Sequence, residues 1–92
     1  MVKVFIRRRV LDQDIPELME LLKKLRSLTL NQPGYISGET LKRLDQPGSC
    51  VVISIWTSKE DWDNWLKNEE RAAVQAEIDR FLGTETQYEV YG

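Results

Sequence analysis

The sequence predicts an α+β fold of order β-α-β-β-α-β, and three observations carry the prediction. Four segments place apolar residues at every second position, and two place them at helical spacing. Each change of period is marked by Gly, Pro or a Ser or Asp able to cap a helix. The two middle strand segments are joined by a short turn, whereas the outer ones are separated by helices. Two βαβ units in this order make the ferredoxin-like split βαβ arrangement, a four-stranded antiparallel sheet with both helices on one face. At 92 residues, a single domain over 1–92 is expected.

The elements follow in order. Val2 to Leu11 alternates as a strand, with Val2, Val4, Ile6 and Val10 on one face and Lys3, Phe5, Arg7 and Arg9 on the other. Asp14 resembles a helix cap, with Pro16 in the first turn and Glu17 three residues on. Ile15, Leu18, Met19, Leu22 and Leu25 then recur at helical spacing, so a helix runs to about Leu28. Asn31-Gln-Pro-Gly34 stops it. Tyr35 to Leu44 alternates as a second strand, and Asp45-Gln-Pro-Gly-Ser49 turns the chain into a third, Cys50 to Thr57. Ser58 can cap the second helix, with Asp61 completing a capping box, and Gly83 ends that helix after about Leu82. Thr84 to Tyr91 is the last strand.

The second helix has a fault in its pattern. Trp62, Trp65, Leu66, Ala73 and Ala76 form one stripe, whereas Val74, Ile78, Phe81 and Leu82 form another, turned away from it. A straight helix cannot lay both on one sheet. A break around Asn68-Glu-Glu-Arg71 is expected, the alternative being a straight helix whose second stripe meets a partner chain. A cavity is expected beside that break, between the second helix and the sheet.

Composition narrows the function. Net charge is −2 and the isoelectric point about 5.1, which argues against nucleic acid or an anionic membrane as partner. Arg7-Arg8-Arg9 is the one dense basic run, and it alternates across a strand. There is no histidine and one cysteine, so structural zinc is not expected, and the free thiol suits a reducing cytoplasm. With no apolar stretch long enough to span a membrane and no basic-then-apolar pattern, neither a membrane span nor an export signal is expected. Phosphate-binding loops, a nucleophile elbow and metal-spaced carboxylates are absent, so neither cofactor nor metal is expected.

Several segments together resemble the antibiotic biosynthesis monooxygenase family of dimeric α/β-barrels. They are Gln32-Pro-Gly-Tyr-Ile-Ser-Gly-Glu-Thr-Leu41, Val52-Ile-Ser-Ile-Trp56, Ser58-Lys-Glu-Asp61, Trp65-Leu66 and Tyr88-Glu-Val-Tyr91. The resemblance implies a homodimer, and it implies one of two chemistries. One branch oxidises aromatic, quinol-type substrates without metal or flavin. The other degrades haem with a first-strand Asn, a Trp on the second helix and a His ten residues beyond it. Trp65 matches the Trp, but Arg8 and Gln75 stand at or near the other two places, so haem degradation is disfavoured.

The candidate pocket residues are Arg8, Trp65, Asn68 and Gln75. Arg8 shares a face with Val2, Val4 and Ile6, where a guanidinium is costly unless it is paired or borders a wet cavity. It is either an anion or phenolate clamp, or a strand-end residue that snorkels outward or pairs with a helix carboxylate. Trp65 is either a wall against a flat ligand or core packing. Gln75 lies between pocket and helix surface, and Cys50 is read as a small strand residue. Phe5, Val52 and Trp56 are expected on the helix-free face of the sheet, where two copies would meet. No catalytic base is identified. Two classes remain: a cofactor-independent monooxygenase on a small aromatic compound, and a non-catalytic dimeric barrel that binds a small ligand or serves in stress response. A cavity bordered by Arg8 and Trp65 separates an enzyme or ligand binder from a purely structural module.

Overall fold

The computed structural model describes residues 1–92. The strands are β1 (Val2–Arg9), β2 (Tyr35–Lys42), β3 (Ser49–Trp56) and β4 (Gln87–Tyr91). The helices are α1 (Ile15–Thr29), α2 (Lys59–Leu66) and α3 (Glu69–Leu82), with a short 3-10 turn at Asp12–Asp14. The sheet order is β2-β3-β1-β4 with every neighbour antiparallel. The helical layer covers one face, in the ferredoxin-like arrangement that the alternating periods predict.

Strand ends differ from the sequence boundaries for local reasons. β1 stops at Arg9, because the Val10 amide turns to donate to the Gly48 carbonyl at 3.0 Å. The Asp14 side chain makes no capping bond, and the chain enters α1 through the 3-10 turn instead, with Pro16 in the first helical turn. Ser58 caps α2 as expected: its hydroxyl accepts from the Asp61 amide at 3.2 Å.

The expected break divides the second helix into α2 and α3. The Asn68 side chain accepts from the Arg71 amide at 2.9 Å and so caps α3. Arg71 Nη1 donates back to the Leu66 carbonyl at 3.2 Å, a group that the end of α2 leaves without a helical partner. Arg71 also hydrogen-bonds the Tyr88 hydroxyl and lies 5.4 Å from that ring centre. The reorientation corrects one stripe. Ala73 and Ala76 face outward, and α3 buries Arg71, Gln75 and Ile78 instead.

Register corrects the placement of Trp56 and Val52. In an antiparallel pair, residues opposite each other share a face. Val2 pairs with Trp56, Val4 with Ser54 and Ile6 with Val52. Trp56 and Val52 therefore lie under the helices, and only Phe5 of the three expected contacts lies on the helix-free face, opposite Ile53. Trp56 is fully buried among Val4, Ile6, Trp62 and Trp65. Its indole nitrogen donates to Ser54 Oγ at 3.2 Å. A second cluster joins Val10, Leu18, Leu21, Cys50 and Ile78 beneath α1 and α3.

Candidate functional site

On β2 the helix-facing positions opposite Ser54 and Val52 are Gly38 and Thr40. Neither fills the space between this edge strand and α1, and a cavity of about 540 Å³ results. Met19, Leu22 and Leu25 of α1 form one wall. Tyr35, Trp56, Trp62 and Trp65 form an aromatic floor. Trp56 is near-parallel to Trp65, with ring centres 6.3 Å apart, and meets Tyr35 and Trp62 edge to face at 5.3 and 5.8 Å. Gly38 has a packing reason. A Cβ there would lie 2.8 Å from the Tyr35 hydroxyl, so only glycine lets that ring lie along the strand.

Arg8 borders the cavity from β1 and is only 2% exposed. Its Nη2 donates to Gln75 Oε1 at 3.0 Å, while Nε and Nη1 are buried without any partner. Burial lowers its pKa from the ordinary arginine value, opposed by Tyr88, Cys50 and Asp79. No carboxylate forms a salt bridge with it. Gln75 Nε2 in turn donates to Asp79 Oδ1 at 2.8 Å and to Thr86 Oγ1 at 2.7 Å. The other ionisable groups that border the cavity are Lys23, Arg26, Tyr35 and Glu39, a cation-rich set.

Of the four expected pocket residues, Arg8 and Trp65 border one cavity. Asn68 and Gln75 do not: Asn68 is spent on the α3 cap, and Gln75 stands behind Arg8. The cavity lies under α1, not beside the helix break. The break lets α3 bury Arg71, Gln75 and Ile78. The residues missed from sequence are those of α1 together with Tyr35, Gly38 and Trp56. A legible signal was present on β2, where small residues alternate at Gly38 and Thr40 on one face. Cys50 is buried opposite Arg8, and burial pushes its thiol above the ordinary range.

The profile of a family described as antibiotic biosynthesis monooxygenase matches residues 1–77. No curated protein matches the sequence significantly. Solved structures are similar throughout. A conserved protein from Methanosarcina mazei Go1 superposes with a TM-score of 0.86 at 21% identity, covering 98% of this chain and 89% of that one. SnoaB, a cofactor-independent oxygenase from Streptomyces nogalater, gives 0.80 at 19%, covering 99% and 91%. Rv0793 from Mycobacterium tuberculosis gives 0.82 at 19%, covering 99% and 92%. At such identities these likenesses establish the fold.

Proposed function

This chain belongs to the antibiotic biosynthesis monooxygenase family, and we propose that it is a cofactor-independent monooxygenase acting on a small aromatic or quinol-type compound. The observation that carries the reading is the cavity itself. It joins an aromatic floor to a buried arginine with two unpartnered donor atoms. An electron-rich aromatic anion reacts with oxygen without a cofactor if the anion is stabilised and kept from water. In the simplest reaction, a ring CH2 beside a phenol becomes C=O. One atom of O2 enters the ring, and the other leaves as water with the two hydrogens of the CH2. Tyr35 and Trp65 would hold the flat ring, backed by the fully buried Trp56, and Arg8 would stabilise the oxyanion. Tyr35 is the cavity hydroxyl placed to hydrogen-bond the phenol, whereas Glu39 stands opposite Ile53 on the helix-free face.

The homodimer belongs to the same proposal. Phe5, Val51, Ile53 and Ile55 lie on the helix-free face, with Leu41 and Tyr91 about half exposed beside them. A second copy of that face is the natural cover for such a patch. No helix is long and apolar enough to cross a membrane, and the free buried Cys50 suits a cytoplasmic setting. Haem degradation does not suit the site, because Gln75 is turned to Arg8, Asp79 and Thr86 and offers no ligand to the cavity.

Oxygen uptake with a panel of hydroquinones and anthrones tests the activity, using chelator-treated, flavin-free protein. The expected result is uptake with one labelled oxygen atom from 18O2 in the product. Arg8→Met and Trp65→Ala should each lower kcat/KM at least tenfold. If ligands bind and no member of the panel consumes oxygen, the reading is wrong and the chain is a binding module.

A further inference from the structure

We infer that the cavity is built for an aromatic monoanion, held through an ionised carboxylate or phenolate by Arg8, and that Gln75 is the residue that sets this charge preference. The inference deepens the oxygenase proposal and rests on its choice of cavity.

The geometry around Arg8 is that of a cation deliberately left short of its counterion. A buried guanidinium is ordinarily met by a carboxylate, because desolvating an unpaired charge is costly. Here the nearest carboxylate along the hydrogen-bond chain is Asp79, and a neutral amide stands between the two. The orientation of that amide is fixed by its neighbours. Its nitrogen donates to Asp79 and Thr86, so its oxygen must face Arg8. The reverse orientation would set NH2 against the guanidinium and oxygen against the carboxylate. Thr86 Oγ1 also donates to Asp79 Oδ1 at 2.8 Å, so Asp79 is already satisfied by two donors on that oxygen.

Arg8 thus borders the cavity with its charge unneutralised, and two of its donor atoms, Nε and Nη1, are buried without a partner. Nε and Nη1 flank Nη2, which Gln75 holds, so each has one hydrogen bond to offer an oxyanion that reaches it. Lys23 and Arg26 at the same cavity add positive potential, and Glu39 stands opposite Ile53 on the other face of the sheet. The aromatic floor supplies the apolar half of the recognition.

Arg8 also borders an outer groove with Arg7, Arg9, Lys42 and Arg43. Three of those cations are already bridged, Arg7 to Glu89 at 2.7 Å, Lys42 to Asp12 at 3.3 Å and Arg43 to Asp45 at 2.8 Å. The groove has no aromatic side chain. The inner cavity is therefore the favoured seat.

The test titrates naphthalene-2-carboxylate, naphthalene-2-carboxamide and 2-naphthol into the full chain under anaerobic conditions, read by calorimetry and tryptophan fluorescence. The carboxylate should bind at least tenfold tighter than the carboxamide. Should the phenolate be the preferred group, 2-naphthol takes that place and acquires its naphtholate absorption on binding. Either result supports the inference and identifies the source of the charge. Arg8→Met should bring the anion-to-amide ratio to about one while amide binding changes little. Its melting temperature should not fall, since an apolar side chain replaces an unneutralised charge. A purely structural arginine would instead lower it.

The double substitution Gln75→Glu with Asp79→Asn moves the carboxylate one link closer to Arg8 and conserves net charge and shape. It should abolish the anion preference as well. A wild-type ratio near one, or a ratio that survives Arg8→Met, overturns the inference. A ratio that survives the double substitution overturns the role of Gln75. Oxygen uptake is read separately, so binding selectivity without turnover removes the oxygenase reading and leaves this one standing.

Discussion

Gly34 shows how one residue can be required by two independent constraints. Its φ is +81°, and a Cβ there would lie 2.2 Å from Asp61 Oδ2. That carboxylate accepts from the Thr57 and Ser58 hydroxyls, so it is not free to move away. Gly34→Ala should cost about 2–4 kcal/mol from left-handed strain and overpacking together, measured by urea unfolding. Titration at Cys50 and Tyr88 has an equally local origin. Burial is the largest influence on both and raises both above their ordinary values of 9.0 and 10.0, with Arg8 opposing it at each and Arg71 also at Tyr88. The folded state then holds these protons more tightly than the unfolded chain does. The resulting stability is present below pH 9 and is lost as pH rises through the folded pKa values. Unfolding free energy should therefore decline above pH 9, and Cys50→Ala should delay the onset toward pH 10. A pH-independent stability up to pH 10 would contradict this linkage.

At the scale of elements, the divided second helix was legible because amphipathic stripes that do not align cannot share one sheet. Asn68 had no such signal of its own. Only the observed turn shows that its side chain ends one helix's problem and starts the next. Asn68→Ala should cost about 1 kcal/mol, as lost N-caps do, while Asn68→Asp should cost little. Thermal melts of the two variants check this, and equal melting temperatures would contradict it. β2 carries the opposite lesson. Its alternation gave the strand, yet the same alternation of Gly38 and Thr40 is what leaves room beneath α1, and room cannot be read from one strand without its neighbours.

At the scale of the whole molecule, the two sheet faces have separate tasks. One holds the helices and the cavity, and the other carries the apolar patch that the proposed second copy would cover. Ile53, in the middle of the helix-free face, should anchor that contact. Ile53→Asp should shift sedimentation at micromolar concentration from about twice 10.8 kDa to 10.8 kDa and leave the monomer folded. A wild-type chain that sediments as a monomer would reject the dimer. Trp56→Ala should act differently, by lost core packing: about 3–5 kcal/mol, since that side chain is enclosed within one copy.

The sequence by itself determined the order of strands and helices, the helix break, the inward face of Arg8 and the family, because periodicity, capping residues and turn residues are local properties. Only the tertiary structure decided that Trp56 and Val52 lie under the helices, that the cavity lies beneath α1, and that Gln75 holds Arg8 67 positions away in the chain. Those facts depend on strand register and on which side chains from distant segments meet. A one-residue change of register moves every side chain to the other face, and in β3, where Val51, Ile53 and Ile55 oppose Val52 and Trp56, alternation does not say which face is inward.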